Sequence, residues 1–276
     1  MPPTPFKPLS VTTPDGVTIN AQEWGNPQGR EIVFIHGFMQ CHLSWVRQYT
    51  SALADEFRLI TLDLRGHGGS DKRMEPALYG SSALFGDELR AVLDAAGLKA
   101  PVLVGWSFGT RVVCDYLMKH GQGRIAGINF AGSSLSDDLN HFGPGRAHIG
   151  QTFAADYATT IAATRSFLRA CFAIQPAQDE FEIMLAFNAG VPPKIRGWLR
   201  RGGDVSAVLQ SLKMPVLVTH GVDDQITSIS LGRWVAAMVP GSTASFYDGV
   251  GHAPFYEAAD RFNGELAAFV RGIGVN

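Results

Sequence analysis

Cysteine is scarce. The 276 residues include three, Cys41, Cys114 and Cys171. They are far apart and odd in number, so neither a disulfide framework nor a metal-type cysteine spacing is available, and no metal is expected. They read as small buried hydrophobes in a reducing compartment. There is no basic patch and no long charge run, and the formal net charge is −2. Nucleic acid and anionic membrane surfaces are therefore poor partners. No apolar run approaches the ~20 residues a membrane span needs. The N-terminus, Met1-Pro2-Pro3-Thr4-Pro5, lacks a cationic stretch followed by an apolar one, and reads as a loose arm rather than a signal peptide. The expectation is a soluble cytoplasmic protein. Internal repeats and low-complexity tracts are missing too. What remains is 46% hydrophobic residues, enough for one large core.

The apolar residues have a clear rhythm. Leu9 to Thr12, Pro14-Asp15-Gly16 and Val17 to Trp24 read as a β-hairpin, with the triplet as its turn. Residues 31–35, 57–62, 101–104, 125–130 and 215–219 are short apolar runs of the kind found in parallel strands buried on both faces. Thr243 to Tyr247 reads as a further strand. Helical periodicity separates them: Ser44 to Asp55, Ser81 to Ala96, Thr110 to His120, Leu231 to Met238 and Glu257 to Gly272. The alternation predicts an α/β fold with a mostly parallel sheet covered by helices on both faces. It breaks between about Ser134 and Leu212, where no buried strand is visible. That stretch is helix-like, carrying Arg165, Arg169, Arg196, Arg200 and Arg201 among many aromatics. It is expected to be a helical cap over the carboxyl ends of the strands (134–212), inserted into a core made of 1–133 and 213–276.

One stretch carries most of the chemistry. Pro101-Val102-Leu103-Val104 runs into Gly105-Trp106-Ser107-Phe108-Gly109 and then into a helix. A Gly-x-Ser-x-Gly turn between strand and helix is a nucleophile elbow. Its glycines permit a close strand–helix approach, and the sharp turn pushes the Ser107 hydroxyl clear of its own backbone. The Phe108 N–H at the helix start is free to hold a developing oxyanion. A serine hydroxyl needs a base, and the base needs an orienting acid. Around elbows of this type the chain order is serine, acid, histidine. The acid falls in His220-Gly221-Val222-Asp223-Asp224, after one strand; Asp224 is preferred to its neighbour Asp223. His252, in Asp248-Gly249-Val250-Gly251-His252, follows the next strand and is the expected base. His36-Gly37-Phe38 follows the first central strand, and the Phe38 N–H is the expected second oxyanion donor. The Phe38 side chain, Met39, Trp106 and Phe142 are the expected pocket residues, and His67 is expected to brace backbone.

These segments, together with Asp63-Leu64-Arg65-Gly66-His67-Gly68-Gly69-Ser70 and Gly251-His252-Ala253-Pro254, resemble the α/β-hydrolase superfamily over nearly the whole chain. In that pattern the acid lies three residues after the glycine, which selects Asp224. The chain is most similar to capped serine hydrolases, carboxylesterases and cofactor-free haloperoxidase-like esterases. An aspartate at the elbow marks epoxide hydrolases and haloalkane dehalogenases; here the position is Ser107. A proline often follows the oxyanion residue in the perhydrolase branch; here it is Met39.

The resemblance implies cleavage of a small-molecule carboxylic ester with a small to medium hydrophobic group, without a cofactor. Alternatives on the same triad are C–C bond hydrolysis and perhydrolase or haloperoxidase-type chemistry. A non-catalytic ligand receptor on a hydrolase scaffold is the alternative of another class.

Overall fold

The computed structural model describes residues 5–274; most of the expected N-terminal arm lies outside them. The strands are β1 (Lys7–Thr12), β2 (Thr18–Gly25), β3 (Glu31–Ile35), β4 (Arg58–Leu62), β5 (Val102–Trp106), β6 (Gly127–Ala131), β7 (Val216–Gly221) and β8 (Thr243–Tyr247). They form one sheet in the order β1-β2-β4-β3-β5-β6-β7-β8. β1 and β2 are an antiparallel hairpin, and β2 pairs antiparallel with β4. All other pairings are parallel. The hairpin turn needs Gly16, whose φ of 78° disfavours a side chain. Every residue of β5, β6 and β7 is buried, as expected of strands covered on both faces.

The strand order reverses at β3. The chain steps from β3 outward to β4, returns to β5 on the other side of β3, then proceeds through β6 and β7 to β8. Right-handed crossovers made in opposite directions place their helices on opposite faces. The chain segment 42–56 thus covers one face, where Val46–Tyr49 meets the C-terminal helix Ala259–Gly272. Helices Ser82–Ala95 and Phe108–His120 pack on each other over the opposite face. The crevice outside the carboxyl ends of strands at such a reversal is where open α/β sheets bind ligands. The loops after β3, β5, β7 and β8 all emerge on that rim.

Two helices differ from expectation. Ser44 to Asp55 is not continuous but breaks into a 3₁₀ turn, His42–Trp45, and the short helices Val46–Tyr49 and Leu53–Glu56. The break falls at Thr50-Ser51. The Thr50 hydroxyl donates to the Val46 carbonyl and Ser51 Oγ to the Gln48 carbonyl (2.7 Å), side-chain bonds that compete with the helical ladder. Glu257 to Gly272 likewise splits into Pro254–Glu257 and Ala259–Gly272, with Ala258 between them at φ −127° and ψ 49°.

Between β6 and β7 the described chain contains no strand. It forms 3₁₀ turns Leu139–His141 and Pro144–Phe153 and helices Tyr157–Ala170, Gln178–Ala189, Pro193–Trp198 and Ser206–Ser211. Arg196 holds this segment together from inside. It is fully buried and has no carboxylate partner among the described residues. It donates instead to the carbonyls of Val191 (2.7 Å), Thr152 (2.7 Å) and Asn188 (3.0 Å) and to Thr164 Oγ1 (2.9 Å). The carbonyls lie near the ends of helical pieces, where backbone acceptors lack intrahelical donors. All three cysteines are buried and unpaired. Burial pushes the Cys114 thiol up to about 12 and raises the other two as well, so none is a ready nucleophile.

Candidate active site

Ser107 sits between the last residue of β5 and the first residue of the helix Phe108–His120, at φ 52° and ψ −115°. A non-glycine residue at such φ stores strain of about 1–3 kcal/mol and persists only where its surroundings impose it. The imposing contacts are visible at the flanking glycines. A Cβ on Gly109 would stand 2.3 Å from the Ile35 carbonyl oxygen, and one on Gly105 would stand 2.9 Å from Gly109 backbone. The helix is thus pressed against β3 and β5. The Ser107 carbonyl accepts the Thr110 N–H (2.9 Å) and Thr110 Oγ1 (2.6 Å), which anchors the turn. The Phe108 N–H has no acceptor among the described residues.

The loop after β3 leans on this turn. A Cβ on Gly37 would lie 3.3 Å from Ser107 Cβ. The Phe38 N–H likewise has no acceptor among the described residues. Its neighbour Met39 has φ 61° and donates its N–H to His67 Nε2 at 3.2 Å, while His67 Nδ1–H donates to the Arg65 carbonyl at 2.9 Å. His36 makes the matching link: its Nδ1–H donates to the Gly37 carbonyl (2.8 Å), and its Nε2 accepts the Leu64 N–H (2.9 Å). Each imidazole therefore serves as one donor and one acceptor, a role only the neutral ring can fill. Burial holds both below the ordinary histidine value, His36 at about 4 and His67 at about 3.

His252 and Asp224 meet across the loops after β8 and β7. His252 Nδ1 lies 2.6 Å from Asp224 Oδ2. The carboxylate is fully engaged. Oδ1 accepts the N–H groups of Ile226 (2.7 Å) and Thr227 (3.0 Å), and Oδ2 also accepts Thr227 Oγ1 (3.0 Å). Burial alone would raise this carboxyl, but the charge and hydrogen bond of His252 and the hydrogen bond from His220 hold it well below the ordinary aspartate range. With Nδ1–H committed to Asp224, Nε2 is the ring nitrogen left with a free lone pair. It is buried and has no hydrogen-bond partner among the described residues. Asp223, by contrast, is exposed.

Three residues that sequence reasoning passed over complete this arrangement. His220, the penultimate residue of β7, donates from Nε2 to the Thr227 carbonyl (2.9 Å) and lies 3.2 Å from Asp224 Oδ2. Thr227 bridges Asp224 and His252. Glu257 accepts the N–H groups of Gly251 (3.0 Å), Ala173 (2.8 Å) and Ile174 (2.8 Å). It thereby ties the histidine loop to the segment between β6 and β7, which also accepts the His252 N–H at the Cys171 carbonyl (2.8 Å). A strand-end histidine four residues before the acid was a legible signal; the Glu257 contacts were not.

Ser107, Phe38 and Phe108 open on a cleft of about 620 Å³, with Ile149, Phe153 and Phe167 among its apolar walls. Trp106, Met39 and Phe142, the other expected pocket residues, do not line it. Trp106 ends a strand and its side chain turns away, packing edge-on against Phe255. Met39 is fully buried in the loop after β3. Phe142 pairs with Thr227 and lies under the Arg146 guanidinium.

A mostly parallel α/β sheet with a serine elbow at its strand reversal defines the class of hydrolases built on such elbows. A family model described as the alpha/beta hydrolase fold matches residues 31–165. The chain is 32% identical to a provisionally named aryl esterase from Burkholderia cenocepacia, over 96% of this chain and 98% of that one, with a TM-score of 0.92. It is 31% identical to the esterase RhEst1 from Rhodococcus sp. ECU1013, over 97% and 99% of the two chains, with a TM-score of 0.91. A non-heme chloroperoxidase of Streptomyces lividans is 26% identical, over 95% of this chain and 99% of that one. The chain belongs to the α/β-hydrolase family. No described helix is long and apolar enough to cross a membrane.

Proposed function

We propose that the protein is a serine carboxylic-ester hydrolase. The observation that carries this reading is a strained Ser107 at the strand–helix turn together with a buried His252 whose Nδ1 is held by Asp224 and whose Nε2 has no partner among the described residues. In this reading Ser107 Oγ attacks the ester carbonyl as its proton passes to His252 Nε2. The oxyanion is held by the Phe38 and Phe108 N–H groups. His252 gives the proton to the departing alcohol, and the C–O bond breaks to leave an acyl-serine. Water repeats the sequence and frees the acid. Asp224 keeps the imidazole in the right tautomer and balances the imidazolium. Residues 134–212 act as the lid that selects the substrate.

The test is turnover of aryl acetates with fluorophosphonate labelling. Ser107→Ala should lose both labelling and turnover and keep the wild-type circular dichroism. Turnover retained in pure Ser107→Ala protein would end the proposal. Likeness to non-heme haloperoxidases favours one further reading, in which hydrogen peroxide replaces water at the acyl-enzyme and releases a peracid. Competing peroxide against water in the same assay, with peracid as the readout, separates the two.

A further inference from the structure

The cleft over Ser107 has charged as well as apolar walls. Arg146, Arg200 and Arg201 line it, against the single carboxylate of Asp137. Asp137 is already used: its Oδ2 accepts the Gly203 N–H at 2.7 Å. Arg146 and Arg200 face aromatic rings rather than carboxylates, their guanidinium carbons 3.5 Å from the centre of Phe142 and 5.4 Å from that of Phe153.

Arg201 is the most telling. Its side chain is 3% exposed, and its guanidinium stands 5.0 Å from the ring centre of Phe108, the residue after the nucleophile. Nη1 is engaged by Asp115 Oδ2 (2.6 Å) and Ser82 Oγ (3.2 Å). Nε and Nη2 are buried and have no acceptor among the described residues. Those two nitrogens form one edge of the planar guanidinium, spaced to grip both oxygens of a carboxylate. A buried donor left unpaired is costly, and a guanidinium cannot escape the cost by losing its proton. A neutral substrate would leave this edge unpaired. A carboxylate would satisfy it and meet the unpaired positive charge of Arg146 and Arg200.

We propose that the ester substrate carries a carboxylate, bound in the cleft by the Nε–Nη2 edge of Arg201 with Arg146 and Arg200 supplying additional positive charge. The proposal rests on the ester-hydrolase reading and gives its substrate class. The carboxylate is a spectator: it binds, and the bond that breaks is the ester C–O bond.

Two measurements test it. The first compares kcat/KM for 4-carboxyphenyl acetate with 4-(methoxycarbonyl)phenyl acetate, and for monomethyl adipate with dimethyl adipate. In at least one pair the anionic ester should be preferred about tenfold or more, the worth of one charge-assisted hydrogen bond. Arg146→Gln and Arg200→Gln should each lower that preference; Arg201→Gln should abolish it if the variant folds with Asp115 unpaired. The second is independent of catalysis: adipate and adipamide are titrated into Ser107→Ala protein by calorimetry. Adipate should bind at least tenfold more tightly, and the difference should shrink in the Arg146→Gln and Arg200→Gln backgrounds. Equal handling of charged and neutral esters, with no preference for adipate, overturns the proposal and leaves the hydrolase reading intact if Ser107 is labelled. Arginine-dependent adipate binding without hydrolysis of any ester overturns the hydrolase reading and leaves the anion site standing.

Discussion

The indole N–H of Trp106 donates to the backbone carbonyl of His252 at 2.8 Å. The residue before the proposed nucleophile thus holds the residue proposed as its base, across 146 positions of sequence. Trp106 is 3% exposed, so no water replaces that donor. Trp106→Phe should leave the carbonyl unpaired and cost about 1–3 kcal/mol of stability. It should also lower kcat more than it raises KM, because the loop carrying His252 loosens while the cleft is untouched. Urea titration with steady-state kinetics checks both, and an unchanged kcat would contradict the linkage.

Asp224→Asn should lower kcat by about 10⁴, because an amide favours the wrong imidazole tautomer. Its effect on stability should depend on pH. The folded Asp224 carboxyl lies below its ordinary value, so its contribution is present above about pH 4 and is lost as pH falls toward the folded value. The stability gap between wild type and variant should therefore narrow below about pH 4. A gap that stays constant on acidification would show that the carboxylate is not held in this way.

His67 predicts a pH effect in a higher window. Its folded value of about 3 lies below the ordinary value of 6.5. Between them the unfolded chain binds a proton the folded one refuses, so the histidine weakens the fold as pH drops from about 6.5. His67→Gln keeps a hydrogen-bond acceptor for the Met39 N–H but cannot be protonated. It should reduce the fall in stability by up to about 1.4 kcal/mol per pH unit in this window. Denaturant midpoints at pH 7.5, 6.0 and 5.0 would show it, and parallel curves for the two proteins would refute it.

Arg196→Met removes a buried cation that has carbonyls and a hydroxyl as partners. Methionine approximates the stem but supplies no donor, leaving the Val191 and Thr152 carbonyls unpaired. The expected cost is about 3 kcal/mol or more. The loss should be local: hydrogen exchange should quicken between residues 144 and 199 before it does in β5 or β6. Uniform acceleration across the chain would mean that this arginine supports the whole fold rather than the segment.

Much of this molecule was legible in advance, for reasons that differ from element to element. The central strands could be read because a parallel strand buried on both faces is a short, mostly apolar run, and the β1–β2 hairpin because its Pro14-Asp15-Gly16 turn is written in the sequence. Helix breaks at Thr50 and Ala258 could not, because they depend on side-chain bonds and backbone angles that periodicity does not record. Ser107 stood out because its turn leaves no room for side chains at positions 105 and 109, a local steric demand written as glycine. Asp224 was preferred to Asp223, and the family resemblance selected it independently. In the structure the difference is that one is buried against His252 and the other exposed.

The pocket had the least sequence signal. Trp106 and Met39 adjoin motif residues, but neighbours along a strand or turn point in different directions; Phe142 is one of many aromatics of the 134–212 segment, with no local signal for where it faces. Arg200 and Arg201 were visible as charges among aromatics, with nothing to say that one stacks near Phe108 and keeps an edge of its guanidinium unpaired. Local backbone demands and hydrophobic period are properties of consecutive residues, so the sequence by itself determined the sheet, the elbow and the order of serine, acid and histidine. Which side chains share a cleft depends on how distant segments pack. Only the tertiary structure decided that the chamber over Ser107 carries arginines.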